Sequence, residues 1–110
     1  MEKTITLNGE PLKLKSSLFT IIEYRNVFGS ELFSDIKKME LTTTEDDAVK
    51  VIDVLFKIIY ILNRPFTKKS YDEFLMSLDF SILSNPSELE VLSNTIAEML
   101  GGDIKKDSPK

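Results

Sequence analysis

The chain has 110 residues, 42% apolar and 29% charged, with a formal net charge of −4. One domain is the natural count at this length, burying roughly 65% of the unfolded chain's surface. Cysteine and histidine are both absent, and the balance is acidic. That excludes disulfides, thiolate chemistry and cysteine-based zinc sites, and it argues against attraction to nucleic acid or an anionic membrane.

Residues 4–15 read as a β-hairpin. Thr4-Ile5-Thr6-Leu7 and Leu12-Lys13-Leu14-Lys15 alternate polar with apolar, and Asn8-Gly9 between them is a strong type I′ turn signal. Ile5, Leu7, Leu12 and Leu14 then share one face. Two strands alone are marginal in water, so that face must lie on a helix.

Ser16-Ser17 offers an N-cap and Gly29 a left-handed C-cap, which predicts a helix over 18–28. Its apolar arc is read as Leu18, Ile21, Ile22, Tyr24 and Phe28, with Arg25 near the middle and Phe19 and Val27 off it. Ser30 is read as the cap of a second helix, 31–39, turning Leu32, Phe33 and Ile36 inward. Glu31 at its start and Lys37-Lys38 near its end suit the macrodipole.

A linker ending in Thr44 leads into a long helix over 45–63 that is apolar almost all round. From Ala48 to Leu62 its only charges are Lys50, Asp53 and Lys57, on a stripe that reads Asp46, Lys50, Asp53, Lys57, Tyr60 and, beyond the helix, Arg64. At 100° per residue these lie within roughly 80° of one another. Val49, Val51, Ile52, Val54, Leu55, Phe56, Ile58, Ile59, Ile61 and Leu62 must be covered by other elements. Asn63-Arg64-Pro65 stops the helix. A fourth helix over 68–79 carries a stripe of Tyr71, Phe74, Leu75 and Leu78. A fifth over 86–100 starts at Asn85-Pro86 and buries Leu89, Leu92, Ile96 and Met99, with Gly101-Gly102 ending it.

The fold class is therefore mainly α: an N-terminal hairpin and about five helices packed around a central apolar helix, in one globular domain over 1–102. Residues 103–110 are polar and read as a disordered tail. Met1 runs straight into Glu2-Lys3-Thr4, so no secretory signal is expected, and the longest uncharged apolar run, 58–62, is too short for a bilayer. Asn85-Pro86-Ser87 has proline where a glycosylation sequon forbids it. A cytoplasmic protein is expected.

Little catalytic chemistry is on offer. Without histidine the commonest general base and the usual nucleophile pairings are missing, and the four glycines read as turns or caps, not phosphate loops. Glu45-Asp46-Asp47 point three ways around a helix and suit its N-terminus. Asp53 is flanked by Lys50 and Lys57 at ion-pairing distance along the helix, and Asp72-Glu73 sit in a first turn. No enzyme, cofactor or metal is expected.

Binding is the class left. Arg25, between Tyr24 and Phe28, has the composition of an interface centre, although snorkelling outward, or an internal ion pair with Glu23 or an acid of another helix, is the simpler explanation. Phe19, Val27, Met76 and Phe80 lie off their helices' stripes. They mark either a second apolar surface suited to self-association or packing beneath the hairpin.

The order of elements carries a resemblance. The hairpin Ile5-Thr6-Leu7-Asn8-Gly9-Glu10-Pro11-Leu12-Lys13-Leu14 leads into a helix with Ile22-Glu23-Tyr24-Arg25 that ends at Phe28-Gly29. A long apolar helix, the Asn63-Arg64-Pro65 break and two amphipathic helices follow. Over residues 3–102 the chain resembles the tail assembly chaperones of long-tailed phages and prophages of Gram-positive bacteria. The resemblance implies a non-enzymatic factor of the host cytoplasm that coats the tape measure protein. It would keep that protein soluble while tail tube subunits polymerise, and be absent from the mature virion. It also implies a longer product made by ribosomal frameshifting near the end of the short gene. Tape measure protein, with tail tube protein and further copies of the chain, are the expected partners, while nucleic acid and membrane are not. A structural virion or head–tail connector protein is the alternative. A small helical DNA-binding repressor fits less well, because the chain has two arginines and a negative balance.

Overall fold

A computed structural model describes residues 1–7, 9–40 and 48–100, and the chain is mostly helical behind an N-terminal antiparallel hairpin. The order is β1 (Glu2–Leu7), β2 (Glu10–Lys15), α1 (Leu18–Phe28), α2 (Leu32–Glu40), α3 (Ala48–Asn63), α4 (Tyr71–Met76) and α5 (Pro86–Met99). Two 3-10 turns, Arg64–Phe66 and Phe80–Ser84, join the last three helices. Asn8 of the turn, the linker and cap at 41–47, and the glycines and tail at 101–110 lie outside the described residues.

The hairpin pairs Ile5 with Leu12, Leu7 with Glu10 and Lys3 with Leu14. Gly9 takes a φ of +81°, which an L side chain rarely adopts. Ile5, Leu7 and Leu14 are buried and Leu12 is partly so, as the alternation requires. Lys3 shares that face because it stands opposite Leu14, and it pairs with Glu98 of α5. The face lies on helices: β2 packs against α3, and β1 against α5.

Ser17 is the N-cap of α1, within the expected Ser16-Ser17 pair, and shares a capping box with Thr20. The Ser17 N–H donates to Thr20 Oγ1 at 3.0 Å, which buries Thr20, and Gly29 closes the helix at φ +75° with its N–H on the Arg25 carbonyl at 2.8 Å. The buried side of α1 is Thr20 and Tyr24, with Ile21 and Phe28 partly covered. Leu18 and Ile22, expected in the arc, are exposed instead. Apolar residues surround this helix, so spacing alone allowed two rotations. The buried Tyr24–Asp35 bond selects the other one.

α2 begins at Leu32, two residues after its expected cap, Ser30. Its hydroxyl donates to Asp35 Oδ2 at 2.7 Å, alongside Tyr24 Oη at 2.8 Å. Leu32 is fully buried, whereas Phe33, expected inward, is 54% exposed.

Along α3, Leu55, Phe56 and Ile58 to Asn63 are buried, with Ile52, Val54 and Lys57 partly so. The side chains of Val49, Lys50 and Val51 lie outside the described set. The polar stripe survives as exposed Asp53 bonded to Lys57 at 3.1 Å. Tyr60 leaves that stripe. It is buried, with its hydroxyl donating to the Lys69 carbonyl at 2.6 Å, so the ring is core and only its tip is polar. Asn63 ends the helix and donates from Nδ2 to the Lys13 carbonyl at 2.8 Å, tying α3 to β2.

α4 is shorter than the expected 68–79. Ser70 and Glu73 form a reciprocal capping box, with the Glu73 N–H donating to Ser70 Oγ and the Ser70 N–H to Glu73 Oε1. These bonds hold the Glu73 carboxyl below its usual range. At the far end the Ser77 hydroxyl donates to the Phe74 carbonyl at 2.7 Å, and Asp79 Oδ1 accepts from Ser81 N–H at 3.0 Å to start a new turn. Asn85 Oδ1 then accepts from Glu88 N–H, and α5 buries Leu92, Ile96 and Met99 with Leu89 beside them, as its spacing predicts.

Candidate functional site

The end of α4 shapes a groove. Because Ser77 and Asp79 stop the helix at Met76, the chain turns back as Phe80–Ser84, leaving a space of about 250 Å³ against α3. Ile52 and Phe56 of α3 form one wall, Leu75 and Leu78 the second, and Asp79, Phe80 and Ile82 the third. Asp79 is the one ionisable group among these lining residues. Phe80 lines the groove and is 85% exposed, and Met76, which follows the lining residue Leu75 on α4, is 84% exposed.

A larger cleft of about 360 Å³ separates β2 from the Arg64–Phe66 turn and α4. Its lining is mixed: Pro11, Leu12 and Phe74 alternate with Lys13, Lys69 and Ser77. Lys13 Nζ lies 5.9 Å from the Phe66 ring centre.

Five aromatic rings from α1, α3 and α4 interlock behind these surfaces. Phe28 lies 5.0 Å from both Tyr24 and Tyr71, and Tyr60 lies 5.4 Å from Tyr71 and 5.7 Å from Phe74. Lys57 stands over Phe28 at 5.3 Å and Arg64 over Tyr60 at 5.7 Å, while Arg64 Nε bonds to Glu23 at 3.0 Å. Burial drives the Tyr24 and Tyr71 hydroxyls well above their ordinary value, and the carboxylates of Asp35 and Asp53 push the same way. Tyr24 donates to Asp35 at 2.8 Å and Tyr71 to Asp53 at 3.4 Å. This is a satisfied structural cluster, and Asp35, its buried acid, already holds two donors.

The candidate binding residues fall in three places. Tyr24 is fully buried with its hydroxyl engaged, so it cannot meet a partner without opening the core, and Phe28 is half-buried among Tyr24, Tyr60 and Tyr71. Arg25 is exposed and reaches Glu31 at 3.5 Å, an acid just before α2, while Glu23 is taken by Arg64. Phe19 and Val27 are exposed on α1, 57% and 36%, where Leu18 and Ile22 extend the apolar surface. Phe80 lines the groove, and Met76 is exposed at the last position of α4.

Sequence reasoning missed Ile82 and Phe56 as groove walls and placed Leu75 in the buried stripe, although it is 38% exposed. The available signals were Ser70-x-x-Glu73, which starts the helix later, and Asp79-x-Ser81, which ends it earlier. Among the described residues no three acids converge as a metal site, and no helix is long and apolar enough to cross a membrane. The chain matches no family model, and no curated protein or solved structure matches it either.

Proposed function

We propose that this chain is a non-enzymatic phage tail assembly chaperone that binds the tape measure protein and keeps it soluble while the tail tube assembles. The observation that carries the reading is the apolar groove at the end of α4, where Phe80 lines the space and is 85% exposed. A client helix laid there would hide its own apolar face from water, which is the physical content of a chaperone for a long helical protein. Supporting it are the order of hairpin and helices and the absence of histidine and cysteine from the sequence.

In this reading α3 is the central apolar helix. The hairpin and the other helices cover it, and α4 is set across it to form one wall of the groove. The protein works in the host cytoplasm, self-associates through exposed apolar side chains such as Phe19 and Val27, and stays out of the finished particle. Co-expression with a tape measure protein tests the assignment. A clear rise in the soluble fraction of the client supports it, and undiminished precipitation overturns it.

A further inference from the structure

The charges around the groove select among helical partners. Residues 71–100 carry Asp72, Glu73, Asp79, Glu88, Glu90 and Glu98 and neither lysine nor arginine. Leu75, Leu78, Asp79, Phe80 and Ile82 of the groove all belong to that acidic segment. The two remaining walls, Ile52 and Phe56, lie roughly 100–140° around α3 from Lys57 at 100° per residue. Lys57 is itself drawn to Asp53 and the Phe28 ring, and Lys69 lines the separate cleft beside β2. Among the described residues, no lysine or arginine lines the groove. Asp72 sits one helical turn before Leu75 and Met76 on the same side of α4, and Asp79 closes the far end.

We infer that the groove takes the apolar face of a basic amphipathic helix, with lysine or arginine on its flanks meeting Asp72 and Asp79. Leucine or phenylalanine anchors spaced three and four residues apart would seat between Phe56, Ile82 and Phe80. This deepens the client-binding reading above and rests on it for the partner being helical. A second copy is the poorer occupant: an isologous pair would set the Asp72 and Asp79 of one chain against those of the other, and like charges across an interface cost binding energy.

The test uses labelled peptides of roughly 18 residues, long enough to be helical, in fluorescence anisotropy with the full chain. One peptide has leucine on one helical face and lysine on the other, a second has glutamate for lysine, and a third scrambles the first so that no apolar face forms. The lysine amphipath binds, and the glutamate and scrambled forms bind at least about tenfold more weakly. Because Met76 and Phe80 are exposed, the Met76→Ser/Phe80→Ser double variant keeps the core and loses about tenfold in affinity. Phe33→Ser, at an exposed position of α2 away from the groove lining, leaves affinity unchanged.

Equal binding of the scrambled or glutamate peptide overturns the inference, as does a loss caused by Phe33→Ser and not by the double variant. A dimer in sedimentation that the double variant dissolves gives the groove to a second copy and overturns it too. If the client is solubilised but these peptides do not discriminate, the charge selection fails and the chaperone reading stands. Discriminating peptides with an unrescued client leave the groove standing and remove the tape measure assignment.

Discussion

Tyr24 Oη donates to Asp35 Oδ2 at 2.8 Å, joining α1 to α2 in the core, and Ser30 Oγ reaches the same oxygen at 2.7 Å. This shared acceptor decides which way α1 faces. It turns Tyr24 and Thr20 inward and leaves Leu18, Phe19 and Ile22 to solvent.

Tyr24→Phe removes one of the two donors and leaves a buried carboxylate under-satisfied. The expected cost is about 1–3 kcal/mol, read as a lower urea midpoint with unchanged slope. A midpoint equal to that of the parent protein would show that the bond contributes nothing net.

The same tyrosine makes stability fall in alkali. The folded state holds the Tyr24 and Tyr71 protons above the ordinary value of 10.0. The unfolded chain therefore releases them first. Their contribution is complete below about pH 10 and is lost as pH climbs toward the folded values, at up to about 1.4 kcal/mol per pH unit for each group. Unfolding curves of Tyr24→Phe above pH 10 should fall less steeply than those of the parent chain. Parallel slopes would contradict the assignment.

Asn63 Nδ2 bonds to the Lys13 carbonyl at 2.8 Å from a buried position. Asn63→Asp replaces that donor with an acceptor facing a carbonyl oxygen, so it should cost more than Asn63→Ala, which costs about 1–3 kcal/mol. Hydrogen exchange in β2 should quicken in both variants, most in Asn63→Asp.

Adjacent positions on α2 should respond oppositely. Leu32 is fully buried and Phe33 is 54% exposed. Leu32→Ala is expected to cost about 2–5 kcal/mol by leaving a cavity, and Phe33→Ser less than about 0.5 kcal/mol. Thermal melts of the two variants check this directly, and comparable losses would mean that α2 is rotated.

Much of this molecule could be read from its residues because some patterns permit one answer. Alternation around Asn8-Gly9 leaves the hairpin a single register for Ile5, Leu7 and Leu14, and Asn85-Pro86 fixes where α5 begins. α1 was different, since Leu18, Phe19, Ile21, Ile22, Tyr24, Val27 and Phe28 leave no polar face to orient it. Only a bond to Asp35, eleven residues from Tyr24, settles the rotation. Tyr60 misled for a related reason: its hydroxyl suited the polar stripe, while its ring belonged with Phe28, Tyr71 and Phe74. The groove was hidden because it depends on where α4 stops. Two short side-chain bonds, from Ser77 and to Asp79, decide that against a hydrophobic stripe that would have carried the helix onward.

Amide hydrogen exchange of the chain, alone and co-purified with a tape measure protein, bears most directly on the client-binding role. Added protection is expected over α4 and the Phe80–Ser84 turn, with α1 exchanging as it does in the free protein. A complex that never forms, or one whose protection falls on α1 and spares residues 71–84, would contradict it.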